Sequence, residues 1–124
     1  MSLHHKKPAR PVTYYHGGPQ GRSRGAYILP PSITGAMTTA DFGAGSVCDR
    51  GKVYVTTSYE AALIYAAGHR RGVVYEVLPV GTLLPDPDCS EPGLSFECEK
   101  AVVRKVIKPA ASDLRMALAA LVAP

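Results

Sequence analysis

The sequence predicts a single α+β domain built around a small, partly antiparallel β-sheet with a few short helices. The chain has 124 residues, enough for one domain, and 46% of them are apolar, which is a globular composition. Short runs of β-branched and aromatic residues follow one another, separated by loops rich in glycine and proline. Only two stretches carry helix signals, so strands outnumber helices and an α+β arrangement is favoured.

The predicted strands are runs of valine, isoleucine, threonine and tyrosine. They cover residues 12–16, 52–57, 72–78 and 101–107. The first is expected to end at the turn residues Gly17 and Gly18, and the third at Pro79, because glycine and proline interrupt regular pairing. Residues 27–31 are interpreted as a short extended piece.

Two helices are predicted. Thr57-x-x-Glu60 has the form of a capping box and predicts a helix over 58–67 that Gly68 stops. Ser112 is expected to cap a C-terminal helix over about 112–122, because leucines recur there at the helical period. The folded domain is predicted to span 12–124, preceded by a disordered basic arm over 1–11, and a long functional or mobile loop is predicted over 32–51.

The charge is distributed unevenly. Fourteen basic residues against ten acidic ones give a net charge of +4, but Lys6, Lys7 and Arg10 lie in the arm, and without them 11 basic residues balance 10 acidic ones. The nearly neutral body gives little support to a tight nucleic-acid binder. Half of the acidic residues fall in one short segment: Asp86, Asp88, Glu91, Glu97 and Glu99. This segment contains no lysine or arginine before position 100, so it is the more informative departure.

Several classes of protein are excluded by simple counts. No apolar run approaches the roughly 20 residues of a membrane span, so no membrane partner is expected. Three cysteines without a Cys-x-x-Cys pair favour a reducing, cytoplasmic compartment, and neither cysteines nor histidines have zinc-ligand spacing, so no metal is expected. Gly43-Ala44-Gly45 lacks the third glycine and the following helix of a dinucleotide fingerprint, so a Rossmann fold is a poor fit. A monomer is expected.

Two strand residues exceed the background for chemistry. His16 ends a strand and precedes two glycines, whose backbone amides a ligand can approach because no Cβ blocks them. The alternative is a partly buried histidine that is hydrogen-bonded to the turn. Tyr54 lies between Val53 and Val55, so it faces away from them and could stack on a flat ligand ring. The alternative is a tyrosine that packs on the second face of the sheet.

The acidic segment is the third feature. A carboxylate just before the strand 101–107 could serve a cation or a developing positive charge. The alternative is a set of solvated loop acids. A calcium loop is a poor fit, since Asp86-Pro87-Asp88 lacks the regular acid spacing and the glycine of an EF-hand.

The order of these features resembles the ADP-ribosyltransferases of the His–Tyr–acid type, and among them it is most similar to the small rifamycin ADP-ribosyltransferases. The matching stretches are 14–17, 53–56, 74–81, 86–88 and 95–96, with the alanine-rich helix after the second of them. Together they span roughly residues 12–108. The resemblance implies a split sheet and NAD as a consumed substrate. That role for NAD agrees with the incomplete Rossmann fingerprint.

The resemblance also implies roles for single residues. His16 matches the histidine that hydrogen-bonds the nicotinamide-side ribose, and Gly17 matches the backbone position that binds the nicotinamide amide. Tyr54 matches the tyrosine that stacks on the nicotinamide ring. Asp86 matches the acid of the rifamycin enzymes, in the same Asp-Pro context.

Further residues complete the predicted NAD site. Thr56 and Tyr65 are assigned to it, one on the Tyr54 strand and one on the following helix. The loop with Arg22, Arg24 and Gly25 could embrace the pyrophosphate or the adenosine, or it could be a solvated basic loop.

The acid is the position at which the sequence leaves a choice. Segment 89–94 is shorter than its counterpart in the rifamycin enzymes, so a different acceptor pocket is expected. Glu97 and Glu99 directly precede the last strand, where other ADP-ribosyltransferases carry a catalytic glutamate. Asp86 is the first candidate for the catalytic acid, Glu99 the second and Glu97 the third.

The resulting hypothesis is an NAD-dependent mono-ADP-ribosyltransferase. Breaking the nicotinamide–ribose bond passes through an oxocarbenium-like state, which a carboxylate and an aromatic face both stabilise. The expected acceptor is a hydroxyl of a rifamycin-type antibiotic. The alternatives are a toxin-like or phage-encoded enzyme that modifies a protein or nucleic acid, and a non-catalytic module that binds NAD or ADP-ribose.

Overall fold

A computed structural model describes residues 11–34 and 51–122 of the chain. The strands within these residues are β1 (Tyr14–Gly18), β2 (Tyr27–Ile28), β3 (Val53–Thr56), β4 (Val73–Val80), β5 (Leu84–Pro85), β6 (Ser95–Cys98) and β7 (Lys100–Ile107). The helices are α1 (Pro31–Thr34), α2 (Tyr59–Ala67) and α3 (Ala111–Val122). The predicted arm over 1–11 and the predicted loop over 32–51 lie mostly outside the described residues.

The strands form one sheet in the order β2-β7-β4-β1-β3-β6-β5. Every pairing in it is antiparallel, whereas the sequence predicted only partly antiparallel pairing. The predicted α+β class and the single small domain are confirmed. In the described part of the chain, none of the helices has the length and apolarity that a membrane crossing requires.

The two faces of the sheet bury different side chains. On one face Val53 and Val55 of β3 join the main core, at 2% and 1% exposure, as the alternation along the strand predicts. On the other face α2 places Ala62 and Ala66 against Val74 of β4, and all three are fully buried. The small alanines allow α2 to approach the sheet closely, and α2 therefore covers the strands that carry the candidate site.

Two predicted strand ends are wrong. β1 continues through Gly17 and Gly18, which pair with Val74 and Val73 of β4, and stops only before Pro19. β4 continues through Pro79, which pairs with Ala101 of β7. Pro79 is tolerated because the β1 ladder does not extend that far along β4, so no ladder bond is needed on that side.

The stretch 95–98, interpreted from the sequence as part of an acidic segment, is strand β6 between β3 and β5. Its side chains alternate, and Cys98 is fully buried in the core. Four residues containing a glutamate give a weak strand signal, and pairing with β3 and β5 makes the extended conformation stable. The sequence analysis assigned no strand to these residues, and β6 carries Glu97.

The helix starts also differ from the prediction by one residue. The N-cap of α2 is Ser58, whose side chain accepts a hydrogen bond from the Ala61 N–H at 3.1 Å. Thr57, the predicted cap, instead donates its hydroxyl to the Gly93 carbonyl at 2.9 Å. Gly68 ends α2 as predicted. α3 begins at Ala111, so the predicted cap Ser112 lies within its first turn.

Candidate active site

The centre of the sheet contains a separation between two strands. β1 pairs with β4 along five residues, but it pairs with β3 only at Tyr15 opposite Thr56. Beyond that pair no further β1–β3 register exists among the described residues, although both strands continue. We call this region the β1–β3 gap; it is the space bounded by His16 and Gly17 on one strand and Tyr54 on the other.

The ring of His16 connects the two sides of the β1–β3 gap. Its Nδ1 lies 2.8 Å from the backbone carbonyl oxygen of Tyr54. A carbonyl oxygen only accepts hydrogen bonds, so Nδ1 carries the proton and donates it. The side chain of His16 thus makes a hydrogen bond from β1 to the backbone of β3. This arrangement is more specific than the predicted alternative of a histidine bonded to its own turn.

The direction of the Tyr54 carbonyl also indicates which way the backbone groups of Gly17 point. Along a strand, the N–H and C=O of one residue point to the same side and alternate from residue to residue. The Tyr54 carbonyl points towards β1. By this alternation, the backbone N–H and C=O of Thr56 also point towards β1, and those of its partner Tyr15 point towards β3. By the same alternation, the N–H and C=O of Gly17 face the β1–β3 gap.

Burial keeps the His16 ring neutral. Removal of the ring from water lowers its pKa below the ordinary value of 6.5, against the opposing effect of the hydrogen bond to Tyr54. The positive charges of His69 and Arg22 lower the pKa further. A neutral ring that donates from Nδ1 has an unprotonated Nε2, so this atom can accept a hydrogen bond. Nε2 lies on the side of Gly18, where an added Cβ would be 3.2 Å away.

Acidification is expected to destabilise the fold through this ring. The pKa of His16 is lower in the folded chain than in the unfolded one, so the unfolded chain binds the proton more readily. The stabilisation is complete above pH 6.5 and is lost as the pH falls below 6.5. His69 acts in the same direction, because burial lowers its pKa as well. Urea unfolding between pH 7.5 and 5 measures the effect.

The substitution His16→Asn is the control for this pH dependence. Its amide N–H can replace Nδ1 as donor to Tyr54, but it does not titrate, so the unfolding free energy of the variant should change less with pH. An equally steep pH profile for the variant would assign the effect to other groups.

Tyr54 and Glu97 lie side by side on the same face of the sheet. They are directly opposite in the β3–β6 register, which brings their Cβ atoms to within about 5 Å of each other. Both side chains are half-buried. This is the face covered by α2, because Thr56 shares it with Tyr54 and pairs with Tyr15, which packs on the α2 alanines. The third sequence candidate for the acid is therefore the one that the structure places beside Tyr54.

Asp86 has its carboxylate engaged elsewhere. One oxygen accepts the Ser95 hydroxyl at 3.0 Å and the other accepts the Asp88 N–H at 2.9 Å. These bonds close the turn after β5 and fasten it to β6. Asp86 lies across β6 from β3, so its backbone is about two strand spacings, roughly 10 Å, from Thr56.

Glu99 also lies apart from Tyr54. Its carboxylate covers Gly81, at the turn that follows β4, and its side chain is exposed. Gly81 has a φ of +85°, and a Cβ at this position would overlap the Glu99 carboxylate. The structure thus places Tyr54 and Glu97 on the face covered by α2, and it places the His16 side chain on the main-core face beside Tyr75, joined to β3 through the Tyr54 carbonyl. It leaves Asp86 and Glu99 at other turns.

Thr56 is engaged within the protein. Its side chain is 4% exposed, and its hydroxyl donates to the Leu94 carbonyl at 2.9 Å and accepts from the Ser58 N–H at 3.1 Å. These contacts join the end of β3 to the loop before β6 and to the start of α2. Tyr65 lies on α2 with 39% of its side chain exposed.

The arginine loop is anchored by a residue that sequence reasoning missed. Tyr75 of β4 is 1% exposed, and its hydroxyl donates to the Pro19 carbonyl at 2.6 Å and accepts from the Arg22 N–H at 3.2 Å. Gly25, at a φ of +89°, donates its N–H to Val103 at 2.8 Å. The loop therefore holds the Arg22 charge near His16, and the side chains of both Arg22 and Arg24 are exposed. An aromatic residue in a valine-rich strand gave no signal of this role.

Among the described residues, no group of three or more His, Cys, Asp and Glu side chains is arranged to hold a metal ion. Neither a protein-family model nor a curated protein sequence matches this chain.

Proposed function

We propose that this protein is an NAD-dependent mono-ADP-ribosyltransferase whose substrate site is the β1–β3 gap. The observation that carries the proposal is the hydrogen bond of His16 to the Tyr54 carbonyl, together with the Glu97–Tyr54 pair on the next strand. In this proposal a neutral histidine, an aromatic ring and a carboxylate border one interruption of the sheet, the histidine from the main-core face and the other two from the face covered by α2. The histidine and the tyrosine are those that the family resemblance assigns to NAD.

The polar groups at the β1–β3 gap fit the nicotinamide half of NAD. A carboxamide has one donor group and one acceptor, and the N–H and C=O of Gly17, which face the gap, are their complement. The unprotonated Nε2 of His16 is an acceptor, and a ribose hydroxyl is a matching donor. His16 and Gly17 are both held by the hydrogen-bond ladder between β1 and β4, so little reorganisation of the protein is needed when NAD binds.

The proposed reaction breaks the bond between the nicotinamide nitrogen and ribose C1′, and the electron pair leaves with nicotinamide. An acceptor hydroxyl forms the new bond to C1′ and loses its proton. Positive charge develops on the ribose, and we assign its stabilisation to the carboxylate of Glu97 and the ring face of Tyr54. Arg22, whose charge reaches His16, is suited to the NAD pyrophosphate.

The acceptor is the second part of the proposal. A hydroxyl of a rifamycin-type antibiotic is assigned on the family resemblance, and a protein or nucleic-acid acceptor is the alternative. Mass spectrometry of rifampicin incubated with the protein and NAD should show the gain of one ADP-ribose unit. Absence of the adduct, with nicotinamide still released, would redirect the search to a macromolecule.

The enzymatic activity is tested by nicotinamide release from NAD. The wild-type protein should release nicotinamide, and His16→Asn should release it about 100-fold more slowly, because asparagine keeps the bond to Tyr54 but loses the Nε2 acceptor. The unfolding temperature of the variant at pH 7.5 should stay close to that of the wild type. Equal rates for both proteins would remove His16 from the mechanism. NAD binding without release would instead favour the non-catalytic module.

A further inference from the structure

A cavity is lined by residues other than those of the β1–β3 gap. It has a volume of about 460 Å³ and opens where the end of α2 and the first turns of α3 meet the adjoining ends of β4 and β7. This is the size range of small-molecule sites. We call it the α2–α3 cavity. Leu114 and Leu118 of α3 contribute an apolar wall to it.

The polar lining of the α2–α3 cavity is entirely of basic type or neutral. Arg71, Lys108 and Arg115 supply three positive charges, and His69 adds an imidazole ring. No aspartate or glutamate belongs to the described lining. Asp113 lies on the same helix as Arg115, but its charge acts on Tyr59 at the start of α2. The side chains of Arg71, Lys108 and Arg115 are exposed, and like charges that line one concavity attract an anion.

The backbone at Arg71 gives an independent observation. Arg71 has a φ of +54°, the left-handed region that glycine adopts more easily than any other residue. Gly72 follows it and packs its Cα against the Ala66 carbonyl, where any Cβ would overlap that oxygen. Position 72 is thus a glycine because there is no space for a Cβ, whereas position 71, which has the positive φ, is an arginine. A side chain kept against backbone strain points to a use for its charge.

We propose that the α2–α3 cavity is a binding site for a small phosphate monoester with an apolar or aromatic body. The guanidinium groups of Arg71 and Arg115 suit bidentate contact with phosphate oxygens, and Lys108 adds a point charge. Leu114 and Leu118 provide the surface for the organic part. None of the cavity's lining residues belongs to the β1–β3 gap, although His69 lies close enough for its charge to lower the pKa of His16. The proposal does not depend on NAD cleavage.

Calorimetry with phenyl phosphate tests the site. Phenyl phosphate should bind at least tenfold more tightly than inorganic phosphate, which lacks the ring, and phenol, which lacks the phosphate, should not bind measurably. Arg115→Gln and Lys108→Gln should each weaken phenyl phosphate binding roughly tenfold, the effect of losing one charged hydrogen bond. Arg104→Gln and Lys105→Gln are matched controls, because these cations are exposed on β7 outside the cavity and should leave affinity unchanged.

Arg71→Gly separates binding from folding. Glycine relieves the positive φ, so the unfolding temperature should stay the same or rise, while phenyl phosphate affinity falls roughly tenfold. Unchanged affinity in Arg71→Gly and Arg115→Gln would overturn the proposal. It would also be overturned if a single-stranded oligonucleotide without terminal phosphates bound more tightly than phenyl phosphate.

Discussion

Replacing Glu97 with glutamine is expected to reduce nicotinamide release from NAD by about 100-fold or more. The register places Glu97 opposite Tyr54, so its carboxylate borders the position where we assign the developing charge on ribose. Glutamine keeps the size and the hydrogen-bonding capacity of the side chain but removes its negative charge. Losing one aligned electrostatic contact in an enclosed site typically costs this factor. Steady-state and single-turnover nicotinamide release measure the effect.

Glu99→Gln is the matched control for this prediction. It makes the same chemical change two residues further on, at an exposed carboxylate over Gly81. Its rate should stay within about twofold of the wild type, the range expected for an exposed site distant from the chemistry. A loss of release in Glu99→Gln with normal release in Glu97→Gln would exchange the two assignments.

Asp86→Asn completes the comparison of the three acids. It weakens the bonds to Ser95 and Asp88, so its main effect should be on stability rather than on nicotinamide release. A full loss of release at unchanged stability would return the catalytic role to Asp86.

Replacing Gly17 with alanine is expected to destabilise the fold by about 3 kcal/mol or more. The added Cβ would overlap the Ala62 carbonyl oxygen of α2 and lie 2.7 Å from the Ala66 nitrogen. Neither backbone atom can move without shifting α2 from the sheet. The reduced entropy of the unfolded chain offsets only about 0.4–1 kcal/mol of this cost. Thermal unfolding should show a decrease of roughly 10 °C or more.

Gly18→Ala is the control in the same strand. Its Cβ would meet only the edge of the His16 ring, with Nε2 at 3.2 Å, so the fold should be much less destabilised. Nicotinamide release should nevertheless fall, because the new methyl group lies against the proposed acceptor atom. Equal destabilisation by the two substitutions would show that α2 tolerates a Cβ at position 17.

The regular elements with strong local patterns were predictable from the sequence. The β7 run of β-branched residues is a strand, and the alanine-rich stretch before Gly68 is helix α2. The α+β class followed from these patterns. The helix cap was displaced from Thr57 to Ser58, because the loop before β6 takes up the Thr57 hydroxyl. No local rule contains that long-range contact.

The two glycines after His16 show why the site was only partly predictable. Glycine pairs are typical of turns, so the strand was ended too early. In the fold, Gly17 stays in the strand by pairing with Val74 of β4, and α2 approaches it too closely for any Cβ. The same glycine thus serves packing on one face and presents its backbone to the β1–β3 gap.

The sequence by itself determined the α+β class, the orientation of Tyr54 opposite to Val53 and Val55, and a short list of acids. Local side-chain periodicity carries that information, because it depends on residues a few positions apart. Only the tertiary structure decided which acid lies beside Tyr54, since strand register links residues that are 43 positions apart, as for Tyr54 and Glu97. Register depends on the pairing and burial of whole strands, and a four-residue strand such as β6 carries too little pattern to specify its own neighbour.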